Sequence, residues 1–168
     1  MSDDGVNTEL RLLLGVQRVL GVPGALTAAR VLGAAGEHAA VWLAVGTLGA
    51  LADAPRRAEW VRGTGVVLAA HAVSVLAKRL VRRARPVHAD LRVHPGPGGR
   101  WGMPSSHAAS TTAAAVVFGR LLGTRATLAL PPVMGLSRLL VGAHFPSDVL
   151  VGSAVGALAA AARGTVTR

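Results

Sequence analysis

Cysteine is absent from the 168-residue chain, which excludes disulfide bonds, thiolate catalysis and cysteine-ligated metal sites. Aromatic residues amount to 3%, too few for the stacking platforms of many nucleic-acid binders. Acidic residues are also scarce, with 8 against 18 lysines and arginines, yet the net charge of +10 accompanies 51% hydrophobic residues and a mean hydropathy of +0.47. Neither a nucleic-acid binder nor a disordered chain is so apolar. The composition therefore predicts a membrane protein without a nucleic-acid partner.

Apolar stretches of membrane-spanning length follow one another along the chain. A bilayer core about 30 Å thick requires roughly 17 to 25 mostly apolar residues per helix. Five stretches qualify, at residues 37–53, 61–81, 107–123, 126–143 and 147–162, the fourth interrupted by Pro131 and Pro132. Residues 8–34 contain arginines and a break at Gly21–Gly24, which favours two short amphipathic helices at the membrane interface over a sixth crossing.

These segments predict an all-α, polytopic membrane helix bundle with five or six transmembrane helices, located as a multi-pass protein in the cell membrane. The expected organisation is an N-terminal amphipathic segment at 1–35, a membrane domain at 36–163 and a tail at 164–168. The polar stretch from residue 87 to residue 103 contains Pro95–Gly99, and we expect it to form a loop at the membrane surface.

Polar residues gather in three clusters at the ends of the predicted crossings: Lys78–Pro86, Pro104–His107 and Ser137–Asp148. The second crossing ends at the first cluster, and the following loop crosses nothing before the second cluster opens the third crossing. The third and fourth crossings then return the chain to the same side at the third cluster. We therefore expect all three clusters to face one side of the membrane.

The first cluster holds Lys78, the only lysine of the chain, and Arg85, seven residues further on. Two helical turns separate them, so both project from one face, where converging cations favour a bound anion. A positive flank that snorkels to the interface is an equally consistent interpretation, since Arg79, Arg82 and Arg83 would serve that purpose.

The second cluster places Ser105, Ser106 and His107 at a helix start. Free backbone N–H groups and the helix dipole favour an anion there, and the histidine titrates near neutrality. Taken alone the signal is weak, because a serine at this position is most often only an N-cap.

The third cluster contains His144 and Asp148, four residues apart, with Pro146 favouring the first turn of a helix between them. A carboxylate at this spacing can hold one imidazole nitrogen and leave the other as a lone pair. Arg138 adds a bidentate fork for phosphate-like oxygens. The alternative is an aspartate at a helix start beside a chance histidine.

Together the clusters read K-x6-R-P at 78–86, P-S-S-H at 104–107 and S-R-x5-H-x3-D at 137–148. In this order they resemble the signature of the type 2 phosphatidic acid phosphatase (PAP2) family, relatives of the vanadium haloperoxidases, which reads K-x6-R-P, P-S-G-H and S-R-x5-H-x3-D. The motifs cover about 70 residues directly. Ser106 departs from the family pattern, because it stands where the family has glycine.

The resemblance implies that His144 attacks phosphorus and forms a phosphohistidine, that Asp148 orients its ring, and that His107 protonates the leaving alkoxide and then activates water. The residues implied to bind the phosphoryl oxygens are Lys78, Arg85, Ser105, Ser106 and Arg138. Cations and a helix N-terminus supply the charge neutralisation that phosphoryl transfer needs, so no cofactor is expected. Only Asp90 and Asp148 lie near the clusters in sequence, too few for a two-metal cage, so we expect no metal.

A hairpin argument extends the site. The first two crossings are antiparallel, so Glu37 and His38 at the start of one lie level with Lys78 at the end of the other, and His71 lies one to two turns deeper. We hypothesise that these residues touch the head group of the substrate. The alternative for Glu37 is an ion pair with a nearby arginine.

An active site at the membrane surface implies a lipid-linked phosphate as substrate. Segments such as those around Glu37, His71 and Ser110 resemble an actinobacterial branch of the family that is associated with decaprenylphosphoryl-5-phosphoribose phosphatase, in cell-wall arabinan precursor synthesis. Phosphatases of phosphatidic acid, phosphatidylglycerol phosphate or polyprenyl pyrophosphate are the alternatives. A non-catalytic lipid-phosphate binder is a further alternative, but it would need only the cations and not His107 or His144.

Overall fold

The computed structural model describes residues 8–93 and 99–165, where the chain forms helices and turns and, apart from an isolated bridge between Ala84 and Trp101, no β-structure. The α-helices of these ranges are α1 (Thr8–Leu20), α2 (Pro23–Gly36), α3 (Ala40–Ala52), α4 (Arg57–Val81), α5 (Ser106–Leu121), α6 (Leu130–Leu140) and α7 (Pro146–Thr165). Short 3₁₀ turns at Glu37–Ala39, Ala54–Arg56 and Ala126–Ala129 precede α3, α4 and α6. The predicted all-α class is confirmed for this part of the chain.

Helix α5 forms the centre of the bundle, since 13 of its 16 residues are buried and α4 and α7 pack closely against it. Small side chains allow this close approach: a Cβ atom on Gly156 of α7 would lie 2.2 Å from the carbonyl oxygen of Ala109. At the end where α4 begins, the rings of Trp60 and Phe118 stack with their centroids 5.4 Å apart. The opposite end of α5 is left for the polar clusters.

The N-terminal helices pack against the bundle. The chain breaks at Gly21 and Val22 as predicted, and Pro23 starts α2 in the first turn, where its missing N–H costs nothing. Helix α1 packs against α6 and α7, while α2 packs mainly against α6 and continues through the Glu37–Ala39 turn into α3. The interfacial position expected for residues 8–34 stays a prediction, since α2 ends at Gly36 and the following turn joins it to α3.

Two of the described segments are long and apolar enough to cross a membrane, Pro23–Ala52 and Ala54–Val81, while α7 and the segment ending with α6 are shorter. The number of five or six crossings therefore stays a prediction, as do the domain limits after residues 35 and 163. The tail residues 166–168 and residues 94–98 of the predicted 87–103 loop lie outside the described residues.

The interruption predicted in the 126–143 stretch lies at the start of α6, where Pro131 and Pro132 occupy the first turn. Both lie in the first turn, where backbone N–H groups have no intrahelical acceptor, so the lack of an N–H group on proline breaks no helical hydrogen bond. The predicted crossing at 126–143 is a 3₁₀ turn followed by an 11-residue helix.

Candidate active site

The three polar clusters meet at one end of the bundle, as the order of the crossings predicts. Lys78 Nζ of the first cluster lies 3.5 Å from the hydroxyl oxygen of Ser106 in the second. The backbone N–H of Ser105 donates to the carbonyl of Asp148 in the third cluster at 2.9 Å. Residues far apart in sequence thus form one polar site.

His144 lies in the turn before α7, and Asp148 lies in the first turn of that helix. His144 Nδ1 is 3.5 Å from Asp148 Oδ2, which also accepts the backbone N–H of Phe145 at 2.9 Å. Both acid and imidazole are buried, with 0% and 2% of their side chains exposed. Burial lowers the pKa of His144 to about 4, although the adjacent Asp148 carboxylate opposes this effect, so the ring is neutral near pH 7. With Nδ1 turned to the carboxylate, Nε2 is free to act as a nucleophile.

Arg85 is half-buried beside this pair and is held by neutral acceptors. Its Nε donates to the carbonyl of Gly99 at 2.8 Å, and its Nη1 donates to the carbonyl of Ala143 at 3.0 Å. Burial lowers the pKa of Arg85, while Asp148 and Glu37 partly offset this effect. Together with Lys78 it leaves an excess of positive charge that a bound anion would relieve.

The two serines at the start of α5 differ in their surroundings. Ser105 is fully buried, and its hydroxyl oxygen accepts the backbone N–H of Ala108 as an N-cap. The Ser105 side chain therefore acts as a helix N-cap, which was the alternative to an anion-binding role. Ser106, in the place of the family glycine, presents its hydroxyl to Lys78.

His107 lies against the C-terminal end of α2. Its Nε2 is 3.0 Å from the carbonyl oxygen of Gly33, which can only accept, so this nitrogen carries a hydrogen. The carboxylate of Glu37 lies 3.7 Å from the same nitrogen. A Cβ atom on Gly36 would come within 2.9 Å of the imidazole ring, so glycine is needed for this close packing.

Arg138 is buried against α2. Its Nη2 donates to the carbonyl of Ala29 at 2.8 Å, and its Nε donates to Ser137 at 3.1 Å. The guanidinium group crosses Gly33, where a Cβ atom would lie 2.2 Å from Nη2. The guanidinium therefore belongs to the same polar region as His107, with α2 as a neighbour that sequence patterns did not predict.

Glu37, His38 and His71 form a group beside His107. The rings of His38 and His71 lie with their centroids 6.5 Å apart, and His38 Nδ1 is 3.8 Å from the Glu37 carboxylate. His38 and Ala39 both have positive φ angles, 50° and 60°, a conformation that L-residues rarely adopt and that is enriched at functional sites. His71 Nδ1 is buried without a hydrogen-bond partner among the described residues.

Sequence reasoning missed two residues of the site, Arg83 and Glu9. Arg83, interpreted as a possible membrane flank, donates to Asp148 Oδ1 at 3.2 Å and to the hydroxyl of Ser147. Its other terminal nitrogen forms an ion pair with Glu9 of α1. No spacing pattern connects residues 74 positions apart, although Arg83 lies within the K-x6-R-P motif itself.

Metal ligands were not expected at this site. Within residues 8–93 and 99–165, no three His, Cys, Asp or Glu side chains lie close enough together to hold a metal ion. Asp148, the carboxylate at the centre of the site, is instead surrounded by donors of the protein.

Comparison with known proteins gives one family. Residues 60–166 match the PAP2 superfamily. The chain is 47% identical over 151 residues to the decaprenylphosphoryl-5-phosphoribose phosphatase of Mycolicibacterium smegmatis, covering 89% of this chain and 83% of that protein. It is 44% identical over 158 residues to the protein of the same name from Mycobacterium tuberculosis, covering 94% and 89% respectively. No solved structure matches the chain.

Proposed function

Because the chain belongs to the PAP2 superfamily, we propose that it is a membrane-bound lipid phosphate phosphatase that works through His144. The observation that carries this proposal is the buried pair of His144 and Asp148 at the same end of the bundle as the cations of the first cluster. A neutral imidazole held by a carboxylate beside unneutralised positive charge suits attack on a phosphate ester.

In the first step, His144 Nε2 attacks phosphorus, the new N–P bond forms and the bond to the ester oxygen breaks. His107 gives its proton to the departing alkoxide, and Asp148 stabilises the positive ring of His144. Lys78, Arg85 and Arg138, with Ser106 and the N-terminus of α5, neutralise the phosphoryl oxygens. The side chain of Ser105 contributes indirectly, by capping the helix whose N–H groups face the phosphate.

In the second step, water attacks the phosphohistidine, and His107, which is now deprotonated, takes a proton from that water. The N–P bond breaks, inorganic phosphate leaves and His144 returns to its neutral form. One proton is thus given and regained by His107, so the enzyme ends unchanged.

The protein is proposed to cross the membrane five or six times, which puts the site at the membrane surface. The family and the two long apolar segments support a membrane protein. A phosphate attached to a lipid lies at that depth, so the substrate can reach the site without leaving the bilayer.

We propose decaprenylphosphoryl-5-phosphoribose as the substrate, with decaprenylphosphoryl-ribose and phosphate as products. The support is the name of the similar mycobacterial proteins, 44% and 47% identical over most of the chain. With this substrate the enzyme would act in the synthesis of cell-wall arabinan precursors. Phosphatidic acid, phosphatidylglycerol phosphate and polyprenyl pyrophosphate are the competing substrates.

The substrate proposal is tested by measuring phosphate release from each of these four purified lipids in detergent micelles. We expect the highest kcat/KM with the polyprenyl sugar phosphate. A higher kcat/KM with phosphatidic acid would overturn the substrate, and no release from any lipid phosphate would favour a non-catalytic binder.

Glu37, His38 and His71 are proposed to contact hydroxyl groups of the sugar. The unpartnered nitrogen of His71, the exposed ring of His38 and the strained backbone between α2 and α3 support this role. An imidazole can donate to or accept from a hydroxyl and a carboxylate can accept from one, whereas phosphatidic acid carries no hydroxyl at the corresponding place.

Replacing His38 or His71 with alanine is expected to lower kcat/KM for the sugar phosphate about tenfold, the worth of one hydrogen bond to a substrate hydroxyl, and to leave phosphatidic acid hydrolysis unchanged. Parallel kinetics with both substrates measure this. Glu37→Gln is expected to affect both, because Glu37 also lies beside His107. Unchanged kinetics in Glu37→Gln and His38→Ala would contradict the assignment.

Phosphate release is expected to proceed undiminished in excess EDTA. The cations and the N-terminus of α5 neutralise the phosphate, and the two oxygens of Asp148 already accept hydrogen bonds from Arg83 and Phe145. The measurement compares rates with EDTA, with added Mg²⁺ and without either. Activity that is lost in EDTA and restored by Mg²⁺ would contradict the metal-independent mechanism.

A further inference from the structure

We infer that Glu9 and Arg83 act together as a clamp that positions Asp148, and through it His144, for catalysis. This inference rests on the proposed function. Glu9 belongs to α1 and precedes the family match at residues 60–166, so the N-terminal helix would complete an active site whose motifs all lie further along the chain.

Arg83 is needed because Asp148 is a carboxylate with no exposed surface. A buried carboxylate is costly unless each oxygen has a donor and the charge has a partner. Phe145 donates its backbone N–H to Oδ2, and Arg83 donates to Oδ1 and supplies the positive charge. Without Arg83, Oδ1 would lose this hydrogen bond, and the Asp148 carboxylate would be held less firmly in the orientation that faces His144.

Glu9 holds Arg83 in place and also fixes the start of α7. One carboxylate oxygen pairs with Arg83, while the other accepts the backbone N–H of Ser147 at 2.9 Å. Ser147 lies in the first turn of α7, where N–H groups lack an intrahelical acceptor and the dipole favours negative charge. Glu9, a residue of α1, therefore caps the N-terminus of α7 at Ser147, the residue before Asp148.

The titration of Glu9 agrees with these contacts. Burial alone would raise its pKa, but the hydrogen bonds from Ser147 and Arg83 outweigh this effect, and the pKa is lowered. The carboxylate is therefore ionised near neutral pH, as an ion pair with Arg83 requires.

The geometry distinguishes Arg83 from the proposed phosphate ligands. Its terminal nitrogens are directed at Glu9, Ser147 and Asp148, and its guanidinium carbon lies 4.5 Å from the centre of the Phe145 ring. Two of the Arg83 partners are carboxylates, whereas the contacts of Lys78, Arg85 and Arg138 are with neutral hydroxyl and carbonyl oxygens. Arg83 is thus a positioning residue, which acts on the reacting histidine through Asp148 and does not touch the phosphate.

The test compares Glu9→Gln, Arg83→Gln, Arg83→Lys and the double variant Glu9→Gln/Arg83→Gln, with Arg79→Gln as a control. Arg79 is an exposed arginine near the end of the same helix, α4, and lies outside the site. Each protein is assayed for kcat and KM with the preferred lipid phosphate, for inhibition by inorganic phosphate and for thermal unfolding in detergent.

We expect kcat to fall about ten- to a hundredfold in Glu9→Gln and Arg83→Gln. This range is typical for the loss of a residue that orients a functional histidine without touching the substrate. The inhibition constant of inorganic phosphate should stay unchanged, because neither residue contacts it. The two effects should be less than additive, since one residue acts through the other. Arg83→Lys should recover part of kcat by restoring the charge, and Arg79→Gln should match the wild type.

Two results would overturn the clamp. An unchanged kcat in folded Glu9→Gln and Arg83→Gln would show that Asp148 needs no such support. A parallel rise in KM and in the inhibition constant of phosphate in Arg83→Gln would make Arg83 a phosphate ligand. Both results require a wild-type protein that releases phosphate. A wild type without activity would refute the proposed phosphatase function itself, and this outcome differs from failure of the clamp.

Discussion

Replacing His144 with alanine is expected to reduce phosphate release by about 10⁴-fold or more, since loss of a covalent nucleophile typically costs this much even when all binding groups remain. The imidazole is buried against Asp148 and presents Nε2 as the attacking atom. Water would have to attack the ester directly. Release of phosphate from the preferred lipid phosphate by purified variant and wild type measures the loss.

The matched control is His88→Ala, which removes a histidine that lies outside the cluster and beside Asp90. It should retain the activity of the wild type. Binding of inorganic phosphate by the His144→Ala variant should persist, because the cations of the site are intact. Activity of His144→Ala above roughly a hundredth of the wild-type rate would argue against a covalent mechanism, given the cost expected for a lost nucleophile.

Replacing His107 with glutamine is expected to lower turnover of an alkyl phosphate by about 10²- to 10⁴-fold, the range for loss of a general acid. The reason is chemical: a poor alkoxide leaving group needs a proton as the P–O bond breaks. A substrate with a good leaving group, p-nitrophenyl phosphate, does not. We therefore expect the variant to release one equivalent of p-nitrophenol rapidly and to continue slowly, because His107 is also needed to activate water.

Stopped-flow absorbance of p-nitrophenol measures that burst. His88→Ala is the matched control, since it removes an imidazole that lies outside the cluster and is not proposed to transfer a proton. Equal losses for the alkyl and the aryl substrate, with no burst, would mean that His107 does not protonate the leaving group.

The meeting of the motifs could be predicted from the sequence, because the order of the crossings constrains it. The expectation that Lys78 and Arg85 project from one helix face was wrong, since α4 ends at Val81 and Arg85 follows the helix. Lys78 reaches Ser106, and Ser105 reaches the carbonyl of Asp148, as expected for clusters on one side of a bundle. These contacts follow from where helices begin and end, which apolar stretches and prolines reveal.

The contributions of the N-terminal helices could not be predicted in the same way. Contacts such as Arg138 with the carbonyl of Ala29 depend on the angle at which α2 packs on α6, which no spacing records. The turn into α3 depends on positive φ angles at His38 and Ala39, residues that carry no sequence signal for that conformation. Arg83 looked like its exposed neighbours because the contacts that distinguish it, with Glu9 and Asp148, come from distant parts of the chain.

The central claim is that a phosphoryl group is carried by His144, and trapping it is the most direct test. Wild-type protein and the two variants are each mixed with radiolabelled p-nitrophenyl phosphate, whose leaving group needs no proton, then quenched in alkali, which preserves a phosphohistidine, and digested for mass spectrometry. The mechanism predicts a base-stable, acid-labile label on His144, absent from His144→Ala and increased in His107→Gln. A wild-type enzyme that releases phosphate while His107→Gln accumulates no label, or that carries the label on another residue, would contradict it.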